Sequence, residues 1–158
     1  MTRAFFQWCD ATFIAVAIRK SVLAFPVIET FHLFALTLLF GSIMVLNLRL
    51  FGLIFKDKPA SRVASELAPW TLWSLVVMIS SGVLLFVSEA MRCYGTDAFF
   101  YKMGFLFVAI SFHYTIHRGI ANRQDAARST SLGARLAGAV SFLLWLSVGL
   151  AGRAIAFL

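Results

Sequence analysis

The stretch PVIETFHLFALTLLFGSIMVLNLRLFGLIF, residues 26–55, decides the fold. Glu29 and Arg49 are the only residues in it that carry a full charge at neutral pH. A bilayer core is crossed by about 20 apolar residues rising about 1.5 Å each, and this run is long enough. It lacks the polar–apolar alternation of a membrane β-strand. Three further runs reach the same scale: LAPWTLWSLVVMISSGVLLFVSEAM at 67–91, AFFYKMGFLFVAISFHYTIH at 98–117 and LAGAVSFLLWLSVGLAGRAIAFL at 136–158. The expected fold is all-α: an integral membrane four-helix bundle, with 1–158 forming a single transmembrane domain.

Composition agrees. The 158 residues are 61% hydrophobic and 13% charged, against about 45–50% apolar and about 25% charged in an average soluble domain. The net charge of +7 does not indicate a nucleic-acid partner. Its basic residues fall between the apolar runs, where membrane-flanking Lys and Arg belong, and the lipid bilayer is the expected partner. Lys56, Lys58, Arg62, Arg118, Arg123, Arg128 and Arg135 fall on one side of an alternating topology; Arg3, Arg19, Lys20, Arg92, Lys102 and Arg153 fall on the other. That bias places the two basic loops in the cytoplasm and both termini in the periplasm of a bacterial inner membrane. The stretch NRQDAARSTSLGAR, 122–135, reads as a basic linker.

Residues 1–25 read as an interfacial amphipathic helix, with Phe5, Trp8, Cys9, Thr12, Phe13 and Val16 on its apolar side. A signal peptide is the competing reading, since Ala15-Val16-Ala17 resembles a cleavage site; Asp10 interrupts the apolar core that such a peptide needs. A short fifth span is a further alternative. Cys9 and Cys93 come to the same side of the membrane, where a disulfide is conceivable, but two cysteines without metal-ligand spacing read first as small apolar residues.

An ionisable side chain inside a bilayer costs roughly 2.5–3.5 kcal/mol on insertion scales unless it is paired, which makes it a functional candidate. His32, Lys102, His113 and His117 are such residues, and a metal or haem is one partner that would offset the cost. Lys102 and His113 are eleven residues apart, about three helical turns, and His117 follows one turn later. The stripe Lys102, Leu106, Ala109, His113, His117 is therefore expected to face the bundle interior. His32 and Lys102 enter from the same side at similar depth, whereas His113 lies about 16 Å deeper than Lys102. His32 and His113 are thus poorly placed to ligate one haem from opposite faces, and His113 and His117 share a helix face.

The run HLFALTLLFGSIMVLNLRLFG resembles the first helix of HemJ-type membrane protoporphyrinogen oxidases and is similar to the copper-resistance CopD domain. YKMGFLFVAISFHYTIHR resembles the HemJ helix in which a lysine precedes a histidine by eleven residues. Over nearly its full length, through PVIETFHLFALTLLFGS, LNLRLFG, APW, YKMGFLFVAISFH and LAGR, the chain resembles an uncharacterised bacterial four-helix membrane family. The HemJ resemblance implies a b-type haem held between His32 and Lys102. The sequence departs from HemJ at Leu39-Phe40-Gly41, one position out of register with a tryptophan–glycine pair, and at Leu48, where HemJ has a proline.

Each residue also has a plainer reading. His32 could hydrogen-bond Glu29 or Glu89, Lys102 could snorkel to headgroups, and His113 could bond Ser80, Ser81 or Ser141. His117 reads as interfacial. Arg153 is a candidate for haem propionates, and Arg49 for lipid phosphate. Ser80, Ser81, Gly82, Gly138, Gly149 and Gly152 are expected to let helices approach closely or oligomerise. No phosphate loop, nucleophile elbow or paired-cysteine motif is present, and no residue is assigned a catalytic role. The expected function is that of a membrane haem b protein for redox or electron transfer, with a quinone or redox protein as partner. The alternatives are a HemJ-like oxidoreductase acting on a porphyrinogen or quinol, and a cofactor-free subunit of a homo-oligomer or larger membrane complex.

Overall fold

The computed structural model describes residues 2–123 and 131–157. Its helices, in chain order, are α1 (Thr2–Asp10), α2 (Phe13–Lys20), α3 (Ala24–Leu50), α4 (Ala60–Ser88), α5 (Ala90–Tyr94), α6 (Asp97–Phe112), a π turn (His113–His117), α7 (Arg118–Arg123) and α8 (Leu132–Phe157). Four helical stretches are long and apolar enough to cross a membrane: Ala24–Leu50, Ala60–Ser88, Asp97–Ala121 and Leu132–Ile155. The fold is all-helical among the described residues, and the chain is a multi-pass membrane protein. The centre of the expected basic linker, 124–130 with Arg128, lies outside the described residues.

The helix boundaries differ from the hydropathy runs for local reasons. The first run continues apolar to Phe55, but α3 stops at Leu50. Gly52, at φ 76°, takes the left-handed position that glycine adopts without steric cost. The Gly52 N–H donates to the Arg49 carbonyl at 2.9 Å and the Leu53 N–H to the Leu48 carbonyl at 3.0 Å, the paired bonds of a Schellman cap. The second helix starts seven residues before its apolar run. Pro59 sets its N-cap, and Arg62 bonds Glu66 one turn on at 3.1 Å, so a polar turn extends beyond the apolar stretch.

The amino-terminal segment is two helices rather than one. Thr12 ends the first by donating to the Cys9 carbonyl at 2.8 Å, and its hydroxyl then accepts the Ala15 N–H at 3.3 Å, as an N-cap does. Only part of the apolar side packs on the bundle. Phe6 and Cys9 pack with Ala90, Cys93, Phe86 and Phe99, while Trp8 is 67% and Phe13 86% exposed. Helical spacing admits several apolar stripes here, and the aromatic end of α4 selects the Phe6 stripe: Phe6 meets Phe86 edge-on at 5.4 Å. Arg19 holds the segment down, donating to Asp10 and to the Ser88 carbonyl at the end of α4, both at 2.9 Å.

Helices α3 and α4 form one packed pair, α6 and α8 the other, and α3 also packs on α8. Two apolar clusters follow one another along the bundle. The first joins Leu39, Ile43, Leu75, Met78, Ala109 and Trp145. The second joins Leu46, Leu50, Val63, Ala64, Ala121 and Ala134 at the loop end. Three of the glycines expected to let helices approach closely lie against side chains of neighbouring elements, and Gly138 also against the Asn47 carbonyl. A Cβ on Gly82 would meet the His32 ring at 3.2 Å, one on Gly138 the Phe51 ring at 3.2 Å, and one on Gly152 the Lys102 chain at 3.5 Å.

Candidate functional site

His32 sits two turns into α3 and Ser81 two turns before the end of α4, so antiparallel packing sets them at one depth. His32 Nδ1 and Ser81 Oγ are 2.9 Å apart. The Ser81 hydroxyl proton is already committed to the Val77 carbonyl at 2.6 Å, the usual back-bond of a helical serine. Its oxygen is therefore left to accept, which assigns the proton to His32 Nδ1 and the free lone pair to Nε2. The plainer expectation of a bond to Glu29 or Glu89 is replaced by this one. The sequence signal was available: equal depth from the same membrane face, counted along two antiparallel helices.

Lys102 enters the same region from α6. Its aliphatic chain lies over Gly152 of α8, and its charge interacts with His32 on one side and Cys93 on the other. Lys102 Nζ has no hydrogen bond or ion pair to any described residue. His32, near the start of α3, and Lys102, near the start of α6 and against Gly152, both lie toward the end of the bundle that carries both termini. Arg153, next to Gly152, is exposed at that end and has an interaction of its own. Cys93 borders the site from α5, where burial raises its thiol pKa above the ordinary value, Lys102 opposes that rise, and Glu89 adds to it. Cys9 and Cys93 share a cluster as free thiols.

His113 is elsewhere. The stripe Lys102, Leu106, Ala109, His113, His117 faces inward as expected, with Ala109 and His117 fully buried. At His113 the helix loosens into a π turn, a feature common at functional positions that the eleven-residue spacing does not foretell. His113 Nδ1 and His117 Nδ1 are 3.3 Å apart, so the partner of His113 is His117 and not Ser80, Ser81 or Ser141. His117 is a core residue, 0% exposed, and not an interfacial one; the π turn that carries it packs against α8. Arg49 is also buried, at 5% exposure; its Nε donates to the Lys58 carbonyl at 2.9 Å and ties the α3–α4 loop, so it is not positioned as a free lipid-phosphate anchor.

An open groove of about 760 Å³ runs along the outer side of the α3–α4 pair. Phe31, Phe34, Leu38, Gly41, Trp70 and Trp73 line it, with Ser42 and Ser74 at its base. The two hydroxyls do not advertise a polar ligand, since Ser42 bonds Leu39 and Thr71, and Ser74 bonds Trp70 and Thr71, within the helices.

The model of one protein family, described as a family of unknown function (DUF6644), matches residues 5–158. No curated protein matches the chain, and no solved structure does.

Proposed function

The chain belongs to the DUF6644 family, and from that premise we propose that it is a membrane haem b protein that carries electrons, in which His32 and Lys102 would hold the haem. The observation that carries this reading is the 2.9 Å contact between His32 Nδ1 and Ser81 Oγ. Ser81 holds Nδ1–H at 2.9 Å, which leaves Nε2 with a lone pair and orients the ring, as the outer hydrogen bond of a metal-binding histidine does. Lys102, whose chain lies against Gly152 of α8, would supply a second nitrogen, with no hydrogen bond to it among the described residues. Ligation requires the neutral amine, since the ammonium has only donors.

Haem, when bound, supplies one-electron redox chemistry whose potential the axial ligands set. The chain's part is to fix the imidazole through Ser81, to hold the lysine over Gly152, and to line the terminal end with the Phe86–Phe99 stack, whose ring centroids are 5.2 Å apart. Arg153 stands at the same end as a candidate partner for propionates. The two basic loops put that end in the periplasm of a bacterial inner membrane. A quinone or a redox protein is the proposed electron partner.

A second reading is a HemJ-like oxidoreductase acting on a porphyrinogen or quinol, which rests on the resemblance of the sequence around His32 and Lys102. Purified from haem-replete cells, the protein should show a Soret band that shifts on dithionite reduction. His32→Ala should abolish it, Lys102→Met should shift it, and His113→Ala should leave it unchanged. A colourless preparation with no pyridine haemochrome would overturn the proposal. Rescue of a strain lacking protoporphyrinogen oxidase separates the enzyme from the electron carrier.

A further inference from the structure

Between the two apolar clusters the bundle is polar. Crossing from one cluster to the other, the helices bury Ser42 and Asn47 on α3, Thr71 and Ser74 on α4, His113 and His117 in the π turn, and Ser141 on α8. Their levels coincide. Lys102 lies against Gly152 and Ala121 clusters with Ala134, so the antiparallel α6–α8 pair sets His113 level with Ser141, and His117 level with 137–138. Gly138 in turn lies against the Asn47 backbone.

Three side-chain atoms of this layer have no hydrogen-bond partner: Asn47 Oδ1, His117 Nε2 and Ser141 Oγ. Their residues are 1%, 0% and 0% exposed. The indole Nε1 of Trp145, one turn above Ser141, is a fourth. The histidine pair cannot relieve this. It engages Nδ1 on both rings, so His117 Nε2 stays unpartnered whichever ring carries the proton. Buried polar atoms are rarely left so, and lipid offers them nothing.

We propose that this layer is an internal hydration site, in which bound water bridges His117 Nε2, Asn47 Oδ1 and Ser141 Oγ. Water fits because it both donates and accepts: the indole Nε1–H can only donate, the amide oxygen can only accept, and the serine hydroxyl does either. Such a water makes about three bonds to otherwise unsatisfied groups, and the layer offers that number. A cation fits poorly. Among the described residues the carboxylates, Asp10, Glu29, Asp57, Glu66, Glu89 and Asp97, all stand toward the ends of the helices, so none would balance it. The apolar clusters above and below close the site. This site is about three turns deeper than Lys102 and does not depend on haem.

Solid-state NMR of the full chain in liposomes, with ring-¹⁵N histidine, tests this. His113→Gln and His117→Gln assign the signals. Magnetisation from water protons should reach the His117 ring nitrogens at short mixing times. Ser141→Ala and Asn47→Leu should each weaken that transfer and lower the melting temperature, because the water loses a partner. Absence of transfer in the unmodified protein would overturn the proposal. So would Ser141→Ala and Asn47→Leu proteins as stable as the parent or more so, since a dry layer gains by losing an orphaned group. Stoichiometric retention of added zinc that depends on Asn47 would overturn it too, by showing a cation as the guest.

Discussion

Ser81→Ala separates the ligand reading of His32 from a merely structural one. The substitution removes one acceptor, the oxygen 2.9 Å from His32 Nδ1, and one donor that satisfied Val77 at 2.6 Å. The Val77 carbonyl keeps its helical bond, so its loss is small. The net worth of the side-chain hydrogen bond is about 1 kcal/mol, and His32 is only partly buried, which caps the structural cost near that value. The effect on a ligated metal is larger. Removing the outer hydrogen bond of a ligating histidine costs about 10–100-fold in metal affinity, or about 1.4–2.8 kcal/mol. Haem titration of the apoprotein in nanodiscs, followed at the Soret band, should therefore show the full loss. Thermal unfolding of the same apoprotein should show about 1 kcal/mol. If stability falls as expected while haem affinity is unchanged, His32 is a structural histidine and the ligand assignment fails.

Three further outcomes follow from the geometry. Gly152→Leu places branched carbon where Lys102 Nζ lies 3.5 Å from a simple Cβ, so haem should be retained on His32 with a changed absorption spectrum, readable by the same titration. Cys93 has its thiol pKa raised, chiefly by burial; the reactive thiolate is therefore scarce near pH 8 and increases only at more alkaline pH. Maleimide labelling in a Cys9→Ala background should be slow at neutral pH and should accelerate continuously above pH 9. Arg49→Met breaks the bond from Nε to the Lys58 carbonyl, a charge-assisted bond worth about 1.5–3 kcal/mol. It should free the α3–α4 loop, and trypsin should then cleave at Lys56 faster than in the parent while the helical circular dichroism is kept.

Some of the site was legible before the structure. Depth alone, counted from the membrane faces, set His32 and Lys102 toward one end of their spans and His113 about three turns deeper than Lys102. The inward stripe on α6 was readable because polar side chains in a span avoid lipid. The partners were not. Ser81 and Asn47 are ordinary polar residues in apolar runs, and nothing local distinguishes Ser81, which holds His32, from Ser80, which faces outward. The π turn leaves no signal in composition or spacing, since its residues are compatible with an ordinary α-helical turn.

The amino-acid sequence by itself determined that this chain crosses a membrane four times, where the polar groups sit along each span, and which residues enter from a common face. Those properties are local and one-dimensional: hydropathy sums over about 20 residues, and depth is a count multiplied by the helical rise. Tertiary structure decided the azimuth. It chose Phe6 over Trp8 as the buried amino-terminal face, turned Arg49 into a loop clamp, gave the glycines to His32, Phe51 and Lys102, and drew His117 into the core. In lipid the outside of a helix is as apolar as the inside, so no hydrophobic gradient tells a spanning sequence which way to face. Close packing and the need to satisfy buried polar atoms make that choice, and both exist only when all four helices stand together.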